Sequence, residues 1–234
     1  MSKKNIYIGV AATAALTTAA SADFLGFDGD VSQIGDYTVI QMKAVFDNDT
    51  DIALNLFEMQ VVTEDNGGFN QSDVQIGAGG TWAPNASLDI PGFADSSIDS
   101  FGTIGYGVGA AAATNGTALD PTFLDATGGL GAYVPSGGGW YNGNPTSEQV
   151  ATSFGGGYDG ISGYGVWVGQ FAFATSRVEA AGELDFFIFD CEMGSKDADG
   201  EVFFGGDAFI WAVPAPGALA LLGLGGLAAR RRRG

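Results

Sequence analysis

The chain has 234 residues, of which 39 are glycine, and its 27 acidic residues outnumber nine basic ones for a formal net charge of −18. A single cysteine and the lack of any histidine exclude a disulfide framework within the monomer, a histidine-based zinc site and a Ser-His-Asp triad. The acidic excess also disfavours nucleic acid and anionic lipid as partners.

At the start of the chain, Lys3 and Lys4 precede a mostly apolar stretch from Ile6 to Leu16, and Ala20-Ser21-Ala22 supplies a small-x-small pattern. That order predicts a secretory signal peptide over residues 1–22, cut by signal peptidase after Ala22 with Ala20 completing the recognition pattern. The body that follows, residues 23–212, is long enough for one domain with a sizeable core. It keeps all 27 acidic residues and only Lys43, Arg177 and Lys196 as cations, a net charge of about −24. Such a surface attracts divalent cations and stays soluble at high ionic strength.

Tyr37 to Phe46 alternates, with Ile40, Met42, Ala44 and Phe46 on one face and Gln41 and Lys43 on the other, as a half-buried strand does. Turn residues Asp47 to Asp51 lead to a second strand over Ile52 to Val62, joined as a hairpin or as a crossover between sheets. Glu64 to Gly80 is polar and glycine-rich with one short strand candidate at Val74 to Ile76, and Ser97 to Val108 reads as a strand broken by glycines. Asn115 to Tyr158 reads mainly as loop, with Pro121, Pro135, Pro145 and the run Gly137-Gly138-Gly139-Trp140-Tyr141. Three strongly apolar or alternating strands follow at Gly163–Thr175, Glu183–Asp190 and Glu201–Val213. The pattern predicts an all-β fold: an antiparallel β-sandwich, jelly-roll-like, with long glycine-rich loops. Phe186 to Phe189, without polar alternation, are expected on a central strand covered on both faces. Cys191 reads as a small hydrophobe at a strand end, with no imidazole to activate it.

Three constellations could carry chemistry. Asp197, Asp199 and Glu201 place carboxylates at alternate positions around Gly200, as in a fragment of a calcium loop, though Glu201 lies too close to complete an EF-hand ligand set and a plain β-turn between strands is the favoured reading. Calcium is therefore the one cofactor the sequence suggests; Asp47, Asp49 and Asp51, and Asp28 with Asp30, form similar acidic turns. The second constellation is aromatic: Trp82, Trp140, Tyr141, Tyr158, Tyr164 and Trp167. Trp140 and Tyr141, flanked by glycines and Asn142, are the candidates for an exposed glycan-binding pair, whereas Trp167 alternates with Phe171 and Phe173 and is expected in the core. The third, a pair of acids for glycoside hydrolysis, carries no signal, because so many carboxylates guarantee such pairs by chance.

The last 22 residues, 213–234, break from this pattern. After Pro214-Ala215-Pro216 comes an apolar run from Gly217 to Ala229, about 20 Å as a helix against a bilayer core of about 30 Å, and then Arg230 to Arg233. Extension back through Phe209 to Val213 approaches spanning length, and the terminal arginines would stay on the cytoplasmic side of a membrane.

Val213, Pro214, Ala215, Pro216, the apolar segment and Arg230, Arg231, Arg232 and Arg233 together resemble a PEP-CTERM sorting signal, with Ala215 where that family carries glutamate. The resemblance covers about a tenth of the chain. It implies an exported protein of a Gram-negative bacterium, transiently membrane-anchored through its tail and processed by an exosortase-like protease. The expectation is thus a non-enzymatic protein of the cell envelope or extracellular matrix with a structural or adhesive role. The alternatives are a carbohydrate-binding module, calcium-dependent or not, whose partner would be extracellular polysaccharide, and a glycoside-active hydrolase.

Overall fold

The computed structural model describes residues 24–73, 80–83, 89–105, 116–143, 150–181 and 185–212. In chain order these form β1 (Phe24–Ile34), β2 (Tyr37–Phe46), β3 (Ile52–Thr63), β4 (Phe101–Gly105), β5 (Thr117–Leu119), α1 (Pro121–Thr127), β6 (Gly138–Asn142), β7 (Thr152–Phe154), β8 (Gly163–Ala174), α2 (Thr175–Ala181), β9 (Asp185–Lys196) and β10 (Val202–Ala212). One sheet runs β1-β2-β8-β4, with β7 also on β8, and the other runs β10-β9-β3-β6-β5; every pairing is antiparallel. The two sheets pack face to face, so the fold is the antiparallel β-sandwich that the alternation predicts. The acidic turn after Phe46 proves to be a crossover between sheets.

The core forms where the inward faces meet. Phe171 and Phe173 of β8 lie against Phe187 and Phe189 of β9, with ring centroids 5.2 Å apart for Phe171–Phe187 and 5.5 Å for Phe171–Phe189. Phe69, from the segment after β3, inserts among them at 5.4 Å from Phe171. These side chains are buried, and burial of each large aromatic contributes on the order of 2–3 kcal/mol. Phe186 and Phe187 are both covered, but Ile188 is only half-buried and Asp190 and Glu192 are exposed. Strand β9 is therefore central in its sheet yet open to solvent on its outer face, a correction to the expectation of two covered faces. Cys191 lies within β9 rather than at its end, because the strand continues to Lys196.

Other differences from the sequence reading have local causes. Strand β1 was expected as an acidic turn; Asp28 and Asp30 instead sit within it, paired across from Lys43 and Gln41 of β2. The stretch from Asn115 to Tyr158 holds β5, α1, β6 and β7. Helix α1 starts because the Asp120 side chain accepts from the Phe123 amide at 2.7 Å with Pro121 in the first turn, and it stops at Gly128, whose φ of 66° is left-handed. That geometry drops Phe123 into the core. The glycine run before Trp140 is a buried strand rather than an exposed excursion: a Cβ on Gly139 would collide with the Leu56 carbonyl of neighbouring β3. The candidate strand at Val74 to Ile76, the start of the Glu183 strand and residues 106–108 lie outside the described residues.

A bulge in β8 decides which side chains face outward. Along β2, Met42 pairs with Gly169 and Lys43 with Trp167; along β4, Gly102 pairs with Gly169 and Gly105 with Trp167. Val168 is skipped by both ladders, so side-chain alternation changes phase there. Val166 and Val168 face the core on one side of the bulge and Phe171 and Phe173 on the other.

Candidate functional site

The phase change turns Trp167 out of the core. It stands half-buried on the outer face beside Lys43, against the expectation that it shares a face with Phe171. Its indole Nε1 donates to the Gly169 carbonyl at 2.9 Å within its own strand, which fixes the ring. Gly105, the last described residue of β4, lies opposite Trp167, and Thr152 of β7 lies opposite Gly165. Both lie along the same edge of β8, beside a cleft of about 550 Å³ whose described lining includes Trp167, Lys43, Thr152, Val150 and the two glycines. The Lys43 ammonium is held from two sides, by Asp30 at 2.8 Å and by the face of the Phe154 ring at 4.2 Å.

Of the expected glycan-binding pair, Trp140 is wholly buried while the neighbouring Tyr141 is exposed, as the two faces of one strand require. A single tyrosine remains where two adjacent rings were expected.

The acidic turns have structural roles. Asp197 Oδ1 accepts from the amides of Asp199 at 2.9 Å and Glu201 at 3.0 Å, and Gly200 takes φ of 85°, closing the β9–β10 hairpin. Asp51 is buried whereas Asp47 and Asp49 are exposed, so these three do not share a face. Among the described residues no group of three or more acidic, cysteine or histidine side chains is placed to hold a metal ion.

Asp28 is fully buried, and its carboxylate organises a loop. Oδ1 accepts from the amides of Gly29 at 2.7 Å and Asp159 at 2.9 Å, and Oδ2 from Gly157 at 2.7 Å and Ile161 at 2.9 Å. Gly157 comes so close that a Cβ there would stand 2.5 Å from the Gly29 carbonyl oxygen. Burial raises the Asp159 carboxyl above the ordinary carboxylate range, helped by the nearby charges of Asp28 and Asp207.

A second polar cluster ties α2 to the end of β3. Arg177 reaches Asp65 through Nε at 2.8 Å and Nη2 at 2.6 Å, Thr63 Oγ1 at 2.9 Å, and the Gly68 carbonyl. Hydrogen bonding from Arg177 holds the Asp65 carboxyl well below its usual range. Neither this cluster nor the Asp28 loop was visible in the sequence, since both join segments more than 100 residues apart. Cys191 is buried, and burial together with Asp190, Glu192 and Asp207 pushes its thiol well above the ordinary range, so it is no ready nucleophile.

The site thus defined is a surface cleft on an acidic two-sheet β-sandwich, to which the described residues bring the Trp167 indole, the Lys43 ammonium and the Thr152 hydroxyl. No known protein family, curated protein or solved structure matches the chain.

Proposed function

We propose that this chain is an exported, non-enzymatic β-sandwich with a structural or adhesive role in the cell envelope or extracellular matrix, delivered by its N-terminal signal and its PEP-CTERM-like tail. The supporting observations are the two terminal signals of the sequence, Lys3 to Ala22 and Val213 to Arg233, and the sandwich between them. All ten described strands fall within residues 24–212, so cleavage by signal peptidase and by an exosortase-like protease at those signals would leave every described strand intact.

Mass spectrometry of exported protein tests this reading. The expected result is a start at Asp23 and loss of Arg230 to Arg233, with replacement of those arginines by serine mislocalising the protein. Arginines still attached to extracellular material would overturn it.

A second reading, a carbohydrate-binding module, is favoured by the cleft at Trp167. Among the described residues that line it there is no carboxylate, which favours binding over glycoside hydrolysis, a reaction needing two acids across the scissile bond.

A further inference from the structure

Indole Nε1 of Trp167 is already satisfied by Gly169, so what the side chain offers a ligand is a fixed apolar ring face. Gly105 and Gly165 flank the ring without side chains. Gly105 has φ of 106°, a backbone conformation that glycine alone adopts readily, and a Cβ on Gly165 would stand 3.2 Å from Phe154 and 3.3 Å from Lys43. The space beside the ring is thus kept by the backbone conformation at Gly105 and by crowding from the Phe154 and Lys43 side chains at Gly165. At its border stand the Lys43 ammonium, positioned by Asp30 and Phe154, and the Thr152 hydroxyl, which reaches the Gly165 carbonyl at only 3.4 Å and can turn toward a ligand.

An aromatic face carries negative charge density and attracts positively polarised C–H groups, such as those lining one face of a pyranose ring. A few fixed donors beside that platform can then meet the sugar hydroxyls, and about 550 Å³ accommodates a short oligosaccharide. Charge selects among saccharides. The body carries about 24 excess negative charges and the Lys43 charge is already paired with Asp30, so a polyanionic glycan is repelled and finds no free cation among the described residues lining the cleft.

We propose that the cleft beside β4 and β7 binds a neutral saccharide, with Trp167 as the stacking platform and Lys43 and Thr152 as hydrogen-bond donors to its hydroxyls. The proposal rests on the carbohydrate-binding reading and moves its site from the Trp140–Tyr141 strand to Trp167.

The tryptophans make the test direct. Of the four in the chain, Trp82, Trp140 and Trp211 are buried, so externally quenchable emission comes from Trp167. The full exported chain is titrated with neutral tetrasaccharides of glucose, mannose and galactose, and with polygalacturonate as the anionic arm, following tryptophan emission, acrylamide quenching and heat. At least one neutral tetrasaccharide is expected to shift emission and shield it from acrylamide. Trp167→Ala, checked for an unchanged melting temperature, should weaken that binding by about tenfold or more, and Tyr141→Ala should leave it unchanged. Saccharide binding that survives Trp167→Ala overturns this site while sparing the carbohydrate reading. Absence of binding to every saccharide overturns both, and tighter binding of polygalacturonate overturns the neutral-ligand assignment.

Discussion

The Trp140 indole Nε1 donates to the Val168 carbonyl at 2.9 Å, a bond that joins the two sheets through the centre of the sandwich. Val168 is the residue skipped by both ladders of β8, so the same bulge gives a buried indole its acceptor and turns Trp167 toward solvent. Glycines make room for the ring: a Cβ on Gly102 would stand 2.5 Å from it and one on Gly169 3.2 Å.

Replacing Trp140 by Phe keeps most of the apolar area but strands the Val168 carbonyl in the core, for an expected loss of about 1–3 kcal/mol. Trp140→Ala should cost about 3–5 kcal/mol. Gly102→Ala, although it adds a single methyl group, should cost about 1–3 kcal/mol by forcing the indole aside. Chemical denaturation of the protein measures all three, and a neutral Trp140→Phe would show that the bond between sheets contributes nothing.

The sequence made the sandwich legible where alternation was regular. Ile40, Met42, Ala44 and Phe46 fall on the core face as their spacing predicts. Period-two reasoning misplaces Trp167 because it assumes an unbroken pleat, and a bulge shifts the phase with no signature beyond an ordinary Val-Gly pair; Trp140 is misplaced because of its glycine neighbours. Strand β6 was hidden because glycine normally signals a loop, whereas Gly139 is required by close approach of the Leu56 carbonyl. The Asp28 loop depends on a residue meeting amides about 130 positions away, which local patterning cannot reveal.

Asp28→Asn tests that loop. One carboxylate oxygen becomes an NH₂ group facing two amide donors, so two buried donors lose their acceptor at about 1–3 kcal/mol each. The expected result is a loss of about 2–5 kcal/mol in denaturant melts, with faster hydrogen exchange at the Gly157, Asp159 and Ile161 amides. Unchanged exchange at those three amides would refute the anchoring role.

Acid stability should reflect Asp65 and Arg177. The folded-state pKa of Asp65 lies below that of an unfolded aspartate at about 3.9, so between those values the unfolded chain binds more protons. The stabilisation is present above about pH 4 and is lost as pH falls below it. Arg177→Ala should cost about 1–2 kcal/mol at neutral pH, allowing for screening of this partly exposed pair, and should flatten the acid limb of the stability curve. An acid limb unchanged by Arg177→Ala would place its origin elsewhere.

Asp159 has the opposite sign. Its folded-state value is raised, so the folded chain holds the extra proton above about pH 4 and stability declines as pH climbs toward the raised value. Asp159→Asn keeps the amide that bonds Asp28 and removes the crowded charge, so it should stabilise the protein at neutral pH and less so at pH 4. A variant less stable than the parent at neutral pH would contradict the assignment.

Calcium separates a specific site from general charge screening. The body carries about 24 excess negative charges, so any added cation relieves self-repulsion, and calcium should raise the melting temperature to some extent. A specific site at the 197–201 turn would require the Asp197 carboxylate, but its Oδ1 already serves two amides of the turn. Sodium chloride at matched ionic strength should therefore reproduce the calcium effect, and Asp199→Asn should leave it unchanged. Asp197→Ala should instead destabilise the hairpin by about 1–3 kcal/mol with or without calcium, because it strips both amides of their acceptor. If calcium acts at concentrations far too low for screening and Asp199→Asn abolishes that response, the turn is a ligand site that binds by mass action and the purely structural role of Asp197 is wrong.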